Sequence, residues 1–208
     1  MGGAVSVTAR TQRHRTRDPA RKQRIVAAAV DLVARRGYSA VGMADIGAAA
    51  GVTASAIYRH FDSKSAVLAA VFDGVIDRLL SNAARIVAEA VDDTAALSAL
   101  IDDQVSIALE DRDVLQVYMR EITSLPEEDR RRLRRKQRLY LEEWVHLVCE
   151  LRTDLGDAEA RALVHSAIGA IQSVLNYDST VPADRLAPLL SGAARAVLGI
   201  AGPAKRSR

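Results

Sequence analysis

Gly51-Val52-Thr53-Ala54-Ser55-Ala56-Ile57-Tyr58-Arg59-His60-Phe61-Asp62-Ser63-Lys64 is the stretch that decides the fold of this 208-residue chain. A glycine turn leads to a hydroxyl residue suited to cap a helix, then to about a turn and a half of helix with small side chains at its start. Phe61 stops that helix and Ser63 is placed to cap the next. Just upstream, Met43 to Ala50 reads as a supporting helix with Met43, Ile46 and Ala50 on one face. Two short helices joined by a glycine turn make a helix-turn-helix, the unit that lays its second helix in the major groove of DNA.

Working outward, helical periodicity continues in both directions. Asp18-Pro19 opens a helix as cap and first residue, with Ile25, Ala28, Ala29, Leu32 and Val33 at helical spacing and Gly37 closing it. The supporting helix covers Met43–Ala49 and the recognition helix Ala54 to His60. After Ser63 comes a long helix striped by Val67, Leu68, Val71, Phe72, Val75, Ile76 and Leu79. Further helices are predicted from Thr94, over about 112–123, from Pro126 to about Arg152, from a cap at Asp157, and from near Asp184. Pro188 is tolerable there only in or next to the first turn. Few glycines and prolines, many Leu, Ile, Val and Ala, and no alternating β-branched runs make the class all-α.

Composition narrows the function classes. The single cysteine, Cys149, excludes a disulfide framework and a zinc cluster and suits a reducing, cytoplasmic setting. No apolar run reaches the roughly 20 residues that span a bilayer, so no membrane role is expected. The basic N-terminus has no apolar core behind it and is not read as a secretory signal. No nucleophile elbow or phosphate-cradling glycine loop is present, and His14, His60, His146 and His165 are scattered without carboxylates at motif spacing. Neither an enzyme nor a cofactor is expected.

The net charge of +3 conceals an asymmetry: residues 1–64 hold 11 Lys/Arg against 4 Asp/Glu, and residues 65–208 hold 18 against 22. A basic head on an acidic body points the head at a polyanion. The densest part is an arm with Arg10, Arg13, Arg15 and Arg17, followed by Arg21, Lys22 and Arg24. Arginines on such an arm can enter a narrow minor groove or pair with phosphates; the alternative is a solvated leader.

The run Tyr58-Arg59-His60-Phe61-Asp62-Ser63-Lys64 resembles the "Y-x-x-F-x-S/T-K" signature that closes the helix-turn-helix of the TetR family of bacterial transcriptional regulators. The motif covers about residues 19–70. The resemblance implies a disordered basic arm at 1–17, a three-helix DNA-binding head at 18–63, a body of about six helices at 64–201 for ligand binding and dimerisation, and a frayed tail at 202–208. It implies that Thr53 caps the recognition helix, that Ser55 and the methyls of Ala54 and Ala56 face the major groove, and that Tyr58, His60 and Lys64 hold the phosphate backbone. Arg59 reads a guanine or binds another phosphate, Ile57 packs inward, and Phe61 plugs the gap to the next helix. Tyr58 as a half-buried core aromatic is the other reading. The chain departs from the family pattern at Val41-Gly42, where threonines are usual, and at Ile46-Gly47, where Ile-Ala is common. Gly42 has no side chain with which to cap, and Gly47 costs about 1 kcal/mol of helix propensity against alanine.

If the resemblance extends to the body, it implies a homodimer on a palindromic double-stranded DNA operator and release by a small-molecule effector. The expected dimer interface is Ala167, Ile171, Val174, Leu175, Leu190, Ala193, Ala194 and Val197, unless these stripes form only the intramolecular core. The expected pocket gathers Tyr118 and Met119 with Tyr140, Trp144 and Val148, a mixture that ordinary helical cores also show. Seven cations in Arg130–Arg138 either receive the phosphates of an acyl-coenzyme A or pair with Glu127, Glu128, Glu142 and Glu143 as a solvated face. The functional expectation is a repressor released by an apolar, lipid- or steroid-like effector; the alternative is a ligand-independent activator or nucleoid-type DNA binder.

Removing residues 1–17 deletes four arginines outside the expected fold. Thermal melting should be unchanged, while DNA affinity falls and its salt dependence becomes shallower. Unaltered affinity at low salt would reduce the arm to a solvated leader.

Overall fold

The computed structural model describes residues 19–200. The arm at 1–17, the Asp18 cap and the tail at 202–208 lie outside the described residues. Within them the chain forms nine α-helices and no strand. α1 (Pro19–Arg36) runs from the first described residue and ends at Gly37, whose φ of 78° is readily adopted only without a Cβ. α2 (Met43–Ala49) and α3 (Ala54–Ile57) form the helix-turn-helix with it. α4 (Lys64–Glu89) begins where Ser63 Oγ accepts the Ala66 N–H at 3.1 Å. At 26 residues it runs unbroken for about 39 Å.

The body continues with α5 (Asp93–Glu110), α6 (Arg112–Glu121) with a 3-10 turn at Ile122–Ser124, and α7 (Glu127–Leu151). α8 (Asp157–Gln172) runs into a second 3-10 turn, Ser173–Asn176, and α9 (Ala183–Leu198) closes the described chain. Two expected starts shift by a residue, each for a local reason. Asp92, not Thr94, caps α5 by accepting the Ala95 N–H at 2.7 Å. Asp157 is the first residue of α8 and not its cap; Gly156 precedes it, and Glu159 reaches back to accept the Gly156 N–H at 2.8 Å. Pro188 sits in the second turn of α9 and removes one helical hydrogen bond there.

Two apolar clusters hold the molecule. The first joins Ile25, Val33, Ile46, Ile57, Phe61 and Phe72 and takes in Val117, Leu125 and Leu133 from the body. The head is therefore seated on α6 and the start of α7 as well as on α4. The second, built on Leu97, Leu100, Trp144, Val148, Val164, Ile171 and Leu198, fills the body.

α4 and α7 are also clamped by charge. Asp73 of α4 accepts from Arg132 Nη2 and Lys136 Nζ of α7, each at 2.7 Å, and Lys136 reaches Asp77 at 2.7 Å. Asp129 completes the set by pairing with Arg132. Burial alone would raise the Asp73 carboxyl, but the hydrogen bonds from Arg132 and Lys136 outweigh it and hold the group below its usual value. A depressed carboxylate stabilises the fold above its unfolded pKa and loses that contribution as pH falls through the folded one, below about 4. Asp73→Asn should lower stability by about 1 kcal/mol at neutral pH, since the pair is half exposed. The gap to wild type should narrow in urea melts as the pH is lowered below about 4. A gap that persisted there would show that packing, and not charge, clamps the two helices.

Candidate nucleic-acid interface

The turn of the helix-turn-helix is fixed by Gly51, φ 65°, and by the Val52 N–H donating to the Gly47 carbonyl at 2.9 Å. A Cβ at position 47 would lie 3.3 Å from the Val52 carbonyl oxygen, so glycine lets α2 approach the turn closely. That close approach accounts physically for the Ile46-Gly47 departure. Gly42 indeed offers no side-chain cap; Asp45 Oδ2 accepts its N–H at 2.8 Å instead. α3 ends as α-helix at Ile57, three residues short of the expected His60. Tighter turns carry it on, with the His60 N–H on Ile57 O and the Phe61 N–H on the same carbonyl. Ile57 and Phe61 are buried in the head cluster, as their apolar character dictates.

The outward residues of this element are Thr53, Ser55, Tyr58 and Arg59, with His60 half-buried beside them. Tyr58 is 55% exposed, which sets aside the core-aromatic reading. The Thr53 hydroxyl lies 3.3 Å from Ser55 Oγ, and the opening turn is closed by the Thr53 carbonyl. Two expectations need correction. Ala56 is buried, and its methyl does not face outward with Thr53, Ser55, Tyr58 and Arg59. Lys64 is held by the head: its Nζ donates to the Tyr38 carbonyl at 2.6 Å and sits 4.1 Å from the Tyr38 ring centroid. Tyr38, on the loop after α1, gave no sequence signal beyond being an isolated aromatic. The side chain of Ala54 and residues Arg13, Arg15 and Arg17 lie outside what is described.

A cavity of about 250 Å³ opens in the body. α4 contributes Phe72, Val75, Ile76 and Leu79; α6 contributes Val114, Leu115 and Tyr118; Gln104, Gln137, Tyr140, Leu141, His165, Ile168 and Gln172 complete the wall. Of the expected pocket residues, Tyr118 and Tyr140 line it. Met119 faces solvent, while Trp144 and Val148 are fully buried in the core behind it. Trp144 stands edge-on to Tyr140 at 6.1 Å. The sequence reading missed Gln104, Gln137 and Gln172; Gln104, a polar residue inside the α5 stripe, was the one legible signal.

The expected dimer residues are placed differently as well. Ala167, Ile171, Val174, Leu175, Leu190 and Ala194 are buried in this chain's own core, and a side chain without exposed surface has none to offer a second subunit. Val197 is half-buried and Ala193 is exposed. The outward faces of α8 and α9 carry Ala158, Ala162, Ser166, Gly169 and Ser173, and Leu189, Gly192, Ala193 and Ala196. In the cationic run of α7, Arg130 and Arg131 pair with Glu127, and Arg132 and Lys136 with α4. Glu142 pairs with Arg161.

Comparison with known proteins follows the same division. Residues 25–71 match the family model of bacterial regulatory proteins of the tetR family, and residues 90–177 that of the tetracyclin repressor-like C-terminal domain. A stretch of 110 residues, 53% of the chain, is 30% identical to the HTH-type transcriptional repressor KstR2 of Rhodococcus jostii (strain RHA1), and the match spans 54% of that protein. A bacterial regulatory protein in the tetR family from Rhodococcus RHA1 has a similar solved structure: TM-score 0.76, 19% identity, covering 89% of this chain and 100% of that one. AibR, solved in complex with isovaleryl coenzyme A and operator DNA, gives TM-score 0.71 at 18% identity, with coverages of 83% and 96%. At such identities the two structures speak for the fold alone.

Replacing the exposed Tyr58 by Phe should leave the melting temperature unchanged. If its hydroxyl holds a phosphate, affinity should fall by the same factor, about tenfold, on a selected operator and on random duplex. A change in base preference would instead assign Tyr58 to readout.

Proposed function

The chain belongs to the TetR family of bacterial regulatory proteins, and on that premise we propose that it is a dimeric, DNA-binding transcriptional repressor released from its operator by a small, mainly apolar effector. The observation that carries this reading is the position of the cavity. Its wall is made by α4 and α6, and both helices also seat the head, through Phe72 on α4 and Val117 on α6. A ligand in the cavity presses on the two elements that set the orientation of the recognition helix. Release follows if the ligand favours a spacing of the two heads that the operator does not accept, and DNA must then weaken the ligand by the same factor. The isovaleryl coenzyme A bound by AibR supports an acyl effector, and a similar solved structure, that of the ketosteroid transcriptional regulator KstR2 of Mycobacterium tuberculosis, supports a steroid-like one.

The outward faces of α8 and α9 are the proposed dimer contact, since small side chains let two helix pairs approach closely. A helix-turn-helix monomer reads one half-site, so a second copy is required for a palindrome. In the cationic run, Arg134, Arg135 and Arg138 are without an ion pair among the described residues, and a phosphate-bearing effector would use these three.

Two measurements test the proposal. Gly169→Glu with Gly192→Glu adds side chains where a Cβ meets nothing within 4 Å in the single chain. The variant should fold, sediment as a monomer and lose operator binding; a dimer that survives places the interface elsewhere. Acyl-coenzyme A thioesters of increasing chain length should bind, perturb the fluorescence of Trp144 through Tyr140, and release the operator. A thioester that binds tightly without releasing DNA would remove the sensor role.

A further inference from the structure

Gln104 is 2% exposed on α5, between Ile101 and Ala108, and its side chain lines the cavity. The other buried polar residues, Ser191 and Arg195, both bond to Asp102. Gln104 has a single bond: its Oε1 accepts the Tyr140 hydroxyl at 2.9 Å. The direction of that bond follows from Trp144. The indole N–H can only donate; it is buried without a hydrogen-bond partner, and its ring stands edge-on beside Tyr140 at 6.1 Å. With its oxygen facing a donor, Tyr140 turns its proton to Gln104, and the carboxamide is left with its NH₂ outward. Among the described residues that NH₂ has no partner, yet it is not one of the fully enclosed polar atoms. It is a donor open to the cavity.

No Asp, Glu, Lys or Arg lines the cavity. The charge felt at Tyr140 is the negative Asp103, which burial holds toward its neutral form. A carboxylate beside Gln104 would meet no Lys or Arg among the lining residues, and the one imidazole in the wall, His165, belongs to an exposed residue of α8. A neutral oxygen acceptor would satisfy a donor that otherwise faces apolar walls.

We propose that Gln104 reads the effector, donating a hydrogen bond to an uncharged carbonyl oxygen, that of a ketone or an ester, at the buried end of an otherwise apolar ligand. This rests on the cavity being the effector site. The volume, just below the roughly 300–1,000 Å³ of drug-sized pockets, limits what enters without displacing the wall to a short chain or a small ring system.

The test uses three probes on the full chain, followed by calorimetry and Trp144 fluorescence: 2-decanone, its methylene isostere 2-methyl-1-decene, and decanoate. Wild type should bind the ketone about tenfold more tightly than the isostere, and decanoate most weakly. Gln104→Leu should abolish the preference for the ketone while keeping or improving affinity for the isostere. Gln104→Met carries the same expectation should the leucine variant fail to fold. Tyr140→Phe, which frees the carboxamide to rotate, should reduce the preference partway. Equal binding of ketone and isostere to wild type, a preference that survives in both Gln104 variants, or tightest binding of decanoate each overturns the role of Gln104 and leaves the cavity as an effector site. Failure of all three probes to bind wild type overturns both.

Discussion

Everything in this molecule depends on α4 being one uninterrupted helix. A helix of 26 residues resists bending because each turn shares hydrogen bonds with the next, and nothing in Lys64–Glu89 supplies a break: no proline is present, and Gly74 is not accompanied by an irregular turn. Its first half belongs to the head through Val67, Val71 and Phe72, and its second half to the body through Leu79, Ala83 and Ile86. Head and body cannot reorient by flexing the connection between them. A change in their relative orientation would turn α4 against α6 and α7, so the contacts along that seam are the ones such a change would have to break.

The seam is of mixed chemistry. Phe72 meets Tyr118 edge to face at 4.8 Å, the cavity lies just beyond, and the Asp73–Arg132–Lys136 clamp runs along the α7 side. α6 is held at its other end by Arg112, which donates to the Tyr177 carbonyl at 2.7 Å, and by Gln116 on the Leu175 carbonyl at 2.7 Å. α6 thus touches the head, the cavity and the chain leading into α9. Packed interiors move between discrete arrangements and do not deform smoothly. A cavity placed at such a junction is well positioned to choose between two of them.

How much of this was legible in the sequence depended on distance along the chain. Gly37, Gly51 and Ser63 are local signals, and the structure uses each as expected. The Asp73–Arg132 pair joins residues 59 apart, and nothing near either one names the other. The cationic run therefore looked like a solvated face paired with its own glutamates, whereas two of its members grip α4. The last two helices misled for another reason. Periodicity finds the stripe that is buried but not what buries it, and in α8 and α9 both faces are rich in small or apolar residues. Most of the stripe expected to meet a second subunit is buried within the chain's own core, and the outward face of Ala162, Gly169 and Gly192 carries no large apolar residue that would have marked it. Ala56 failed similarly, since alanine carries no signal of which side it faces.

α8 is thin for what surrounds it. One side, with His165, Ile168 and Gln172, forms part of the cavity wall; about a quarter-turn round the helix, Ala162, Ser166 and Gly169 make the face proposed to meet a second copy. In such a dimer one helix would carry both a wall of the effector cavity and the contact with the second copy. A ligand that shifted α8 in one subunit would shift a helix against which the other subunit packs, and the two binding events would be joined through that helix. The response to rising effector concentration then takes its steepness from α8, and substitutions on that helix can change how sharply the protein switches without changing what it binds.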